Sequence, residues 1–241
     1  MRTIYFYLCL TINLIWINLK KKQYNNLRKH KTKGEVKEYL TNLVTNWSNF
    51  VLKIAGLNLT VIGKENIPNE PCVFVGNHQS NFDIPAVLCN ITRLTGVIAK
   101  KNMEKIPIMS YWMRQIHCVL MDRENPREAL KAIAEGIENL KGGYSMLIFP
   151  EGTRSRSNIM GEFKKGSMRL AIKAGVPIVP ITVYDTYKAM EGNNGKVKKA
   201  SAKLIIGKPI YTDAMSKEEK ANIAEKVKNI IQNNLNQERM V

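Results

Sequence analysis

The chain has 241 residues, enough for one sizeable core with an appendage and too few for two full domains. Its 44% hydrophobic and 24% charged residues are globular proportions and exclude a chain disordered throughout. A net charge of +17 demands an anionic partner: nucleic acid, a membrane surface or an acidic small molecule.

In chain order, the first element is the uncharged run 4–19, followed by Lys20, Lys21 and Lys22. As a helix it reaches about 24 Å, short of a hydrocarbon core of about 30 Å. Three readings stay open. A cleaved signal peptide would need a small-residue cleavage site, which is missing. A short transmembrane helix would leave the following lysines, and the rest of the chain, on the cytoplasmic side. A monotopic anchor would enter one leaflet. Next, Val36, Leu40, Leu43, Trp47, Phe50, Ile54 and Leu57 recur at steps of three and four, the mark of an amphipathic helix. Its apolar face serves either the core or an interface with Trp47 and Phe50 in lipid. Residues 1–57 thus read as N-terminal membrane-associated helices, a two-helix anchor to the cell membrane. Residues 1–55 hold 10 Lys/Arg against 2 Asp/Glu, so the charge is densest beside this apolar segment. That favours membrane phospholipid and argues against nucleic acid, because exposed aromatics are not interleaved with the charge.

From residue 58 to 241 the pattern is that of an α/β domain. Short β-rich runs fall at 59–62, 71–75, 94–99, 118–121, 145–149, 178–183 and 203–206. Helical patterns lie near 84–91, 107–115, 126–140, 165–174 and 217–235. Pro126 suits a first helical turn, and Gly142, Gly143 and Gly175 suit helix stops. Such alternation predicts a mostly parallel sheet flanked by helices on both faces. Residues 191–201 are polar, basic and Gly-containing, and read as a loop. Cys9, Cys72, Cys89 and Cys118 form no C-x-x-C pair and read as reduced thiols.

Two polar clusters follow β-rich runs directly. The first is Asn77-His78-Gln79-Ser80-Asn81-Phe82-Asp83. On one helix His78 and Asp83 would stand about 140° apart, so they meet only if the chain turns between them. A strand ending near Gly76 and a helix starting near Asp83 supply that turn, at the strand end where α/β sheets bind ligands. An Asp on one imidazole nitrogen fixes the tautomer and frees the other nitrogen to take a proton from a hydroxyl. Alone, the pair reads better as structural hydrogen bonding than as a proton-transfer site. A metal would need further ligands, and His30 and His117 have no such context. The second cluster is Pro150-Glu151-Gly152-Thr153-Arg154, a turn whose N–H groups and guanidinium can hold a phosphate. Glu151 would repel that anion, so it braces a cation or accepts a substrate hydroxyl. No serine or cysteine occupies a nucleophile elbow, so direct attack by a substrate hydroxyl is simpler than a covalent intermediate.

Together, NH-x4-D and FPEGTRS resemble the glycerolipid acyltransferase family, in particular its bacterial 1-acylglycerol-3-phosphate acyltransferases. The resemblance spans residues 61–209 and includes Cys118 to Arg123, Phe163 to Gly166 and Val176 to Ile181. It implies an O-acyltransferase in which His78 is the general base and Asp83 its partner. It implies acceptor binding by Arg123, Glu151, Gly152, Thr153 and Arg154, with the two arginines nearest the phosphate and Lys105 a weaker candidate. The implied acceptor is lysophosphatidic acid, made into phosphatidic acid. The implied donor is acyl-CoA, acyl-carrier protein or acyl-phosphate, with no cofactor. Another lysophospholipid or lyso-aminolipid acceptor, or a non-catalytic protein binding anionic lipid, remains an alternative. The basic stretch Lys196 to Lys199 is a candidate docking patch for an acidic donor. One departure stands out: the family pattern has glycine where this chain has His117, and Phe at Leu120. His117 near the site would crowd the acceptor or add another titratable group, a change that reads as tuning.

Overall fold

The computed structural model describes residues 1–122, 125–164 and 166–240. Seven strands of the described residues form one sheet: β1 (Leu57–Ile62), β2 (Val73–Gly76), β3 (Thr95–Lys100), β4 (Val119–Met121), β5 (Ser145–Ile148), β6 (Ile178–Tyr184) and β7 (Ala200–Ile206). Their order is β1-β7-β6-β2-β5-β3-β4. Every expected strand is present. Neighbours are parallel except β6 and β7. The chain returns from β6 through two short 3-10 turns, Thr186–Ala189 and Glu191–Asn193. It therefore re-enters the sheet antiparallel, without the crossover helix a parallel neighbour requires.

The helices are α1 (Arg2–His30), α2 (Lys33–Ala55), α3 (Asp83–Leu88), α4 (Pro107–Gln115), α5 (Pro126–Lys141), α6 (Arg169–Ala174) and α7 (Lys217–Met240). On one sheet face, Tyr24, Leu40, Val87 and Trp112 of α1 to α4 pack with Phe74, Leu147 and Val179. On the other, Ala132, Leu170, Val227 and Ile231 of α5 to α7 pack with Val73, Val75 and Met146. Consecutive β2 residues thus feed opposite cores, as the two-residue strand period demands. Val73, Phe74 and Val75 are all fully buried, which is why the central strand is an unbroken apolar run. Burial of each such side chain contributes about 1.5–3 kcal/mol.

Three boundaries depart from expectation. The helix expected from 165 begins at Arg169, because Gly166 has φ +96°, a left-handed conformation that a helix cannot continue. Helix α1 runs past the apolar segment and through its lysines, since lysine is a good helix former. The third is the end of α2, which stops at Ala55 before Gly56 with φ +69°, so Leu57, expected on its apolar face, begins β1 instead. The chain enters α2 at a capping box. There the Thr32 hydroxyl accepts from the Glu35 N–H at 3.3 Å, and the Glu35 carboxylate accepts from the Thr32 N–H at 2.9 Å.

The two N-terminal helices differ in use. Helix α2 buries Leu40, Val51, Leu52, Ile54 and Ala55, and its Trp47 and Phe50 pack against the same clusters. The core reading of that face is the observed one. Helix α1 buries only Phe6, Ile17 and Tyr24, a single narrow stripe. Ile4, Leu8, Ile12, Ile15, Trp16 and Leu19 are each at least 50% exposed. By length and composition α1 could cross a membrane. Cys72 and Cys118 are buried, and burial pushes both thiols up to about 12, which fits inert reduced cysteines.

Candidate active site

Strands β2 and β5 are neighbours, yet β2 leads into α3 on one face and β5 into α6 on the other. Their following loops part, leaving a crevice past the carboxyl ends of the strands. Both polar clusters open into it.

Asn77 fixes how the chain leaves β2. Its amide donates to the Val183 carbonyl at 2.9 Å and accepts from the Val183 N–H at 2.8 Å. The side chain thereby prolongs the pairing with β6 one residue beyond Gly76. The turn that follows brings His78 Nδ1 to 2.7 Å from Asp83 Oδ2. Asp83 is the first residue of α3 and fully buried. The same Oδ2 accepts from the Gln79 N–H at 2.6 Å and the Ser80 N–H at 2.8 Å, while Oδ1 accepts from the Thr186 hydroxyl. Four donors around one carboxylate leave it a single orientation. With Nδ1 engaged, Nε2 is the nitrogen of His78 left to exchange a proton. The His78 side chain is 15% exposed, and its ring stacks on Phe149 at 4.3 Å between centroids.

The second cluster buttresses the first. Glu151 Oε1 accepts from the His78 N–H at 2.6 Å, and Oε2 accepts from the Gly161 N–H at 2.7 Å. Burial pushes this carboxyl up, and those two backbone donors oppose the rise. Both oxygens of Glu151 thus face backbone donors, one of them the His78 N–H. The His78 carbonyl accepts from the Ser155 N–H at 2.7 Å, so this residue is clamped on both sides of its peptide. Gly152 has φ +73°, a left-handed conformation within the turn that carries Arg154. The Arg154 guanidinium donates to Glu191 at 2.7 Å.

The structure therefore brings His78, Asp83, Glu151 and Arg154 into one hydrogen-bonded group. Thr153 is exposed on the same turn. Lys105 is exposed at the end of a 3-10 turn after β3, on the same edge of the sheet and outside the hydrogen-bonded group of described residues. Arg123 lies outside the described residues. Pro180 lies inside β6, flanked by fully buried Val179 and Ile181, so the end of the stretch Val176 to Ile181 is sheet core.

His117 does not stand near the site. It lies two residues before β4 and stacks at 3.7 Å on Tyr144, which immediately precedes β5. These are the amino ends of parallel strands, opposite the crevice. Its φ of +60° is the left-handed conformation that suits the glycine of the family pattern. The departure is thus a backbone matter, and the expected crowding of the acceptor is withdrawn.

Three participants were not legible as such: Phe149 under the imidazole, Thr186 on Asp83, and Glu191 on Arg154. A usable signal existed for two. Thr186 and Glu191 follow the end of β6 as His78 follows β2 and Glu151 follows β5.

A family model described as Acyltransferase matches residues 58–184, from β1 through the end of β6. The chain belongs to the acyltransferase family. Among acyltransferase relatives, the chloroplastic 1-acyl-sn-glycerol-3-phosphate acyltransferase of Brassica napus is 38% identical over 169 residues, 68% of this chain and 49% of that protein. The 1-acyl-sn-glycerol-3-phosphate acyltransferase of Saccharomyces cerevisiae is 34% identical over 176 residues, 72% of this chain and 58% of that protein. The chain thus spans about half the length of these curated relatives. The crystal structure of the 1-acyl-sn-glycerophosphate acyltransferase PlsC from Thermotoga maritima aligns with a TM-score of 0.87 at 27% identity. That alignment covers 99% of this chain and 95% of the other, so the shared acyltransferase fold includes α1 and α2.

Proposed function

We propose that this acyltransferase moves a fatty acyl group from a thioester to the sn-2 hydroxyl of 1-acylglycerol 3-phosphate, giving phosphatidic acid. The observation that carries the chemistry is the 2.7 Å contact of His78 Nδ1 with a fully buried, four-donor Asp83. Nε2 takes the hydroxyl proton as the oxygen attacks the thioester carbonyl carbon. The C–O bond forms, the C–S bond breaks, and the leaving thiolate receives the proton from His78. Asp83 stabilises the imidazolium between the two transfers. The relatives' names supply the acceptor, and Arg154 supplies a cation for its phosphate. Acyl-CoA and acyl-carrier protein are both acidic donors suited to a basic protein. The deciding assay offers purified protein lysophosphatidic acid with each donor in parallel. Failure to form phosphatidic acid with acyl-CoA, acyl-carrier protein or acyl-phosphate sinks the proposal.

Arg154→Ala is expected to raise the acceptor KM by about 10- to 100-fold, the worth of a charged hydrogen bond, with a smaller change in kcat. The group lost lies remote from the reacting hydroxyl. An unchanged acceptor KM would remove Arg154 from phosphate binding.

The same reading places the enzyme on a membrane, cytoplasmic side, by α1. Its apolar face is exposed, and Phe6 on its buried stripe meets Phe82 of the catalytic turn edge-on at 5.7 Å. The helix is tied to the domain by Phe6, Ile17 and Tyr24, which suits lying in one leaflet. Lys196, Lys198 and Lys199 are exposed on a loop whose Val197 N–H donates to Thr3 at 3.0 Å. Those lysines therefore flank α1, where anionic headgroups lie, which suits lipid better than donor docking. Changing Leu8, Ile12 and Leu19 together to Ser is expected to weaken co-sedimentation with anionic vesicles at least about tenfold, at about 0.8 kcal/mol per immersed methylene. Undiminished co-sedimentation would refute this use of α1.

A further inference from the structure

Glu191 lies beyond residues 58–184, the stretch that carries the family match. By sequence it starts the polar, basic loop 191–201. In the structure its side chain is 6% exposed and makes three contacts. Oε1 accepts from the Asn81 N–H at 2.9 Å and from Arg154 Nη1 at 2.7 Å. Oε2 accepts from the Ser80 hydroxyl at 2.6 Å. A charge this buried requires such compensation, and each of its partners belongs to one of the two clusters.

The segment that carries Glu191 is itself anchored. Thr186 bonds Asp83, and Ala189 and Met190 are buried in the cluster that holds Phe82 and Ala86. Ser80 also accepts from the Phe82 N–H at 3.1 Å, so Glu191 grips the turn between base and partner. Arg154 by contrast is 30% exposed, and a guanidinium has five N–H donors, of which this contact uses one. The remaining donors can face a ligand while Glu191 holds the group from behind.

We infer that Glu191 is a positioning residue: it presents the Arg154 guanidinium to the acceptor's phosphate and sets it at a constant distance from the His78–Asp83 turn. This rests on the acyl-transfer reading above. The hydroxyl to be acylated and the phosphate are parts of one molecule. A carboxylate joining the two clusters sets the spacing that places the sn-2 oxygen at His78 when the phosphate is seated. One consequence is selectivity for acceptors whose phosphate stands at that spacing.

The test is a double-mutant cycle on the full chain, with lysophosphatidic acid and a saturating labelled thioester. Glu191→Ala is expected to raise the acceptor KM about tenfold in the wild-type background and less than about twofold in the Arg154→Ala background. The fall in kcat from the loosened turn is expected in both backgrounds. Glu191→Gln keeps an acceptor for Arg154 and Asn81 and is expected to hold the KM within about threefold of wild type. If Glu191→Ala does not accumulate, Glu191→Asp carries the same expectation, because one methylene fewer leaves it unable to span Arg154 and Asn81. KM effects that multiply independently overturn the inference. So does a lower KM in Glu191→Gln, which would show the carboxylate competing with the phosphate. No turnover by the wild-type protein overturns the acyl-transfer reading and this inference with it, whereas turnover with uncoupled effects overturns the inference alone.

Discussion

Replacing His78 with alanine is expected to lower acyl transfer by about 10²- to 10⁴-fold, the range for loss of a general base. Stability should change little. The clamps on His78 are made by its backbone N–H and carbonyl, which alanine retains. Asp83 loses one donor of four and keeps Gln79, Ser80 and Thr186. The stacking on Phe149 is the chief packing loss, about 0.5–1.5 kcal/mol by analogy with aromatic pairs. The measurement is turnover with a labelled thioester and lysophosphatidic acid, beside a thermal melt. Retained turnover in a folded variant would end the general-base mechanism.

Asp83 should behave differently, because the proposed mechanism gives it a part in the chemistry while its hydrogen bonds hold the fold. Asp83→Ala strands the Gln79 and Ser80 N–H groups at a fully buried position. At about 1–3 kcal/mol per unpaired buried donor, the expected loss is about 2–6 kcal/mol. For a chain of this size that lowers Tm by roughly 4–24 °C. Asp83→Asn is the informative partner. One amide oxygen can still accept at the Oδ2 position, and the Thr186 hydroxyl can turn to accept from the new NH₂. The fold should therefore survive while the imidazolium loses its counter-charge, with turnover down about 10²- to 10⁴-fold. Equal Tm losses in both variants would mean that charge, not hydrogen-bond count, holds this turn. Normal turnover in Asp83→Asn would mean that Asp83 has no electrostatic part in the reaction.

These two residues were legible because they are five apart and a single strand-to-helix turn joins them. Locally coded elements were equally legible. Helix α5 starts at Pro126, as its sequence suggests, and the structure adds an Asn125 cap whose side chain accepts from the Arg127 and Glu128 N–H groups. The short β-rich runs became strands because they are too short for a buried helix, and sheet pairing satisfies their backbone with both faces covered. Less legible were the ends set by a single φ, such as Gly166, and the length of α1, where lysines interrupt apolarity without interrupting the helix.

What the sequence by itself determined was the set of elements, the His78–Asp83 pair and the Glu151–Arg154 turn. Each is specified within a few residues by period, capping or strand-end chemistry. What only the tertiary structure decided was who meets whom. The pairing of β7 with β6 and β1, the burial of α2, the exposure of the α1 face and the removal of His117 from the site all depend on contacts between distant segments. Glu191 is the sharpest case. It stands 111 residues from Ser80 and 37 from Arg154 in sequence, and touches both. No local pattern encodes such a contact, because its free energy is realised only once β6 has docked beside β2 and the returning chain has closed over the turn.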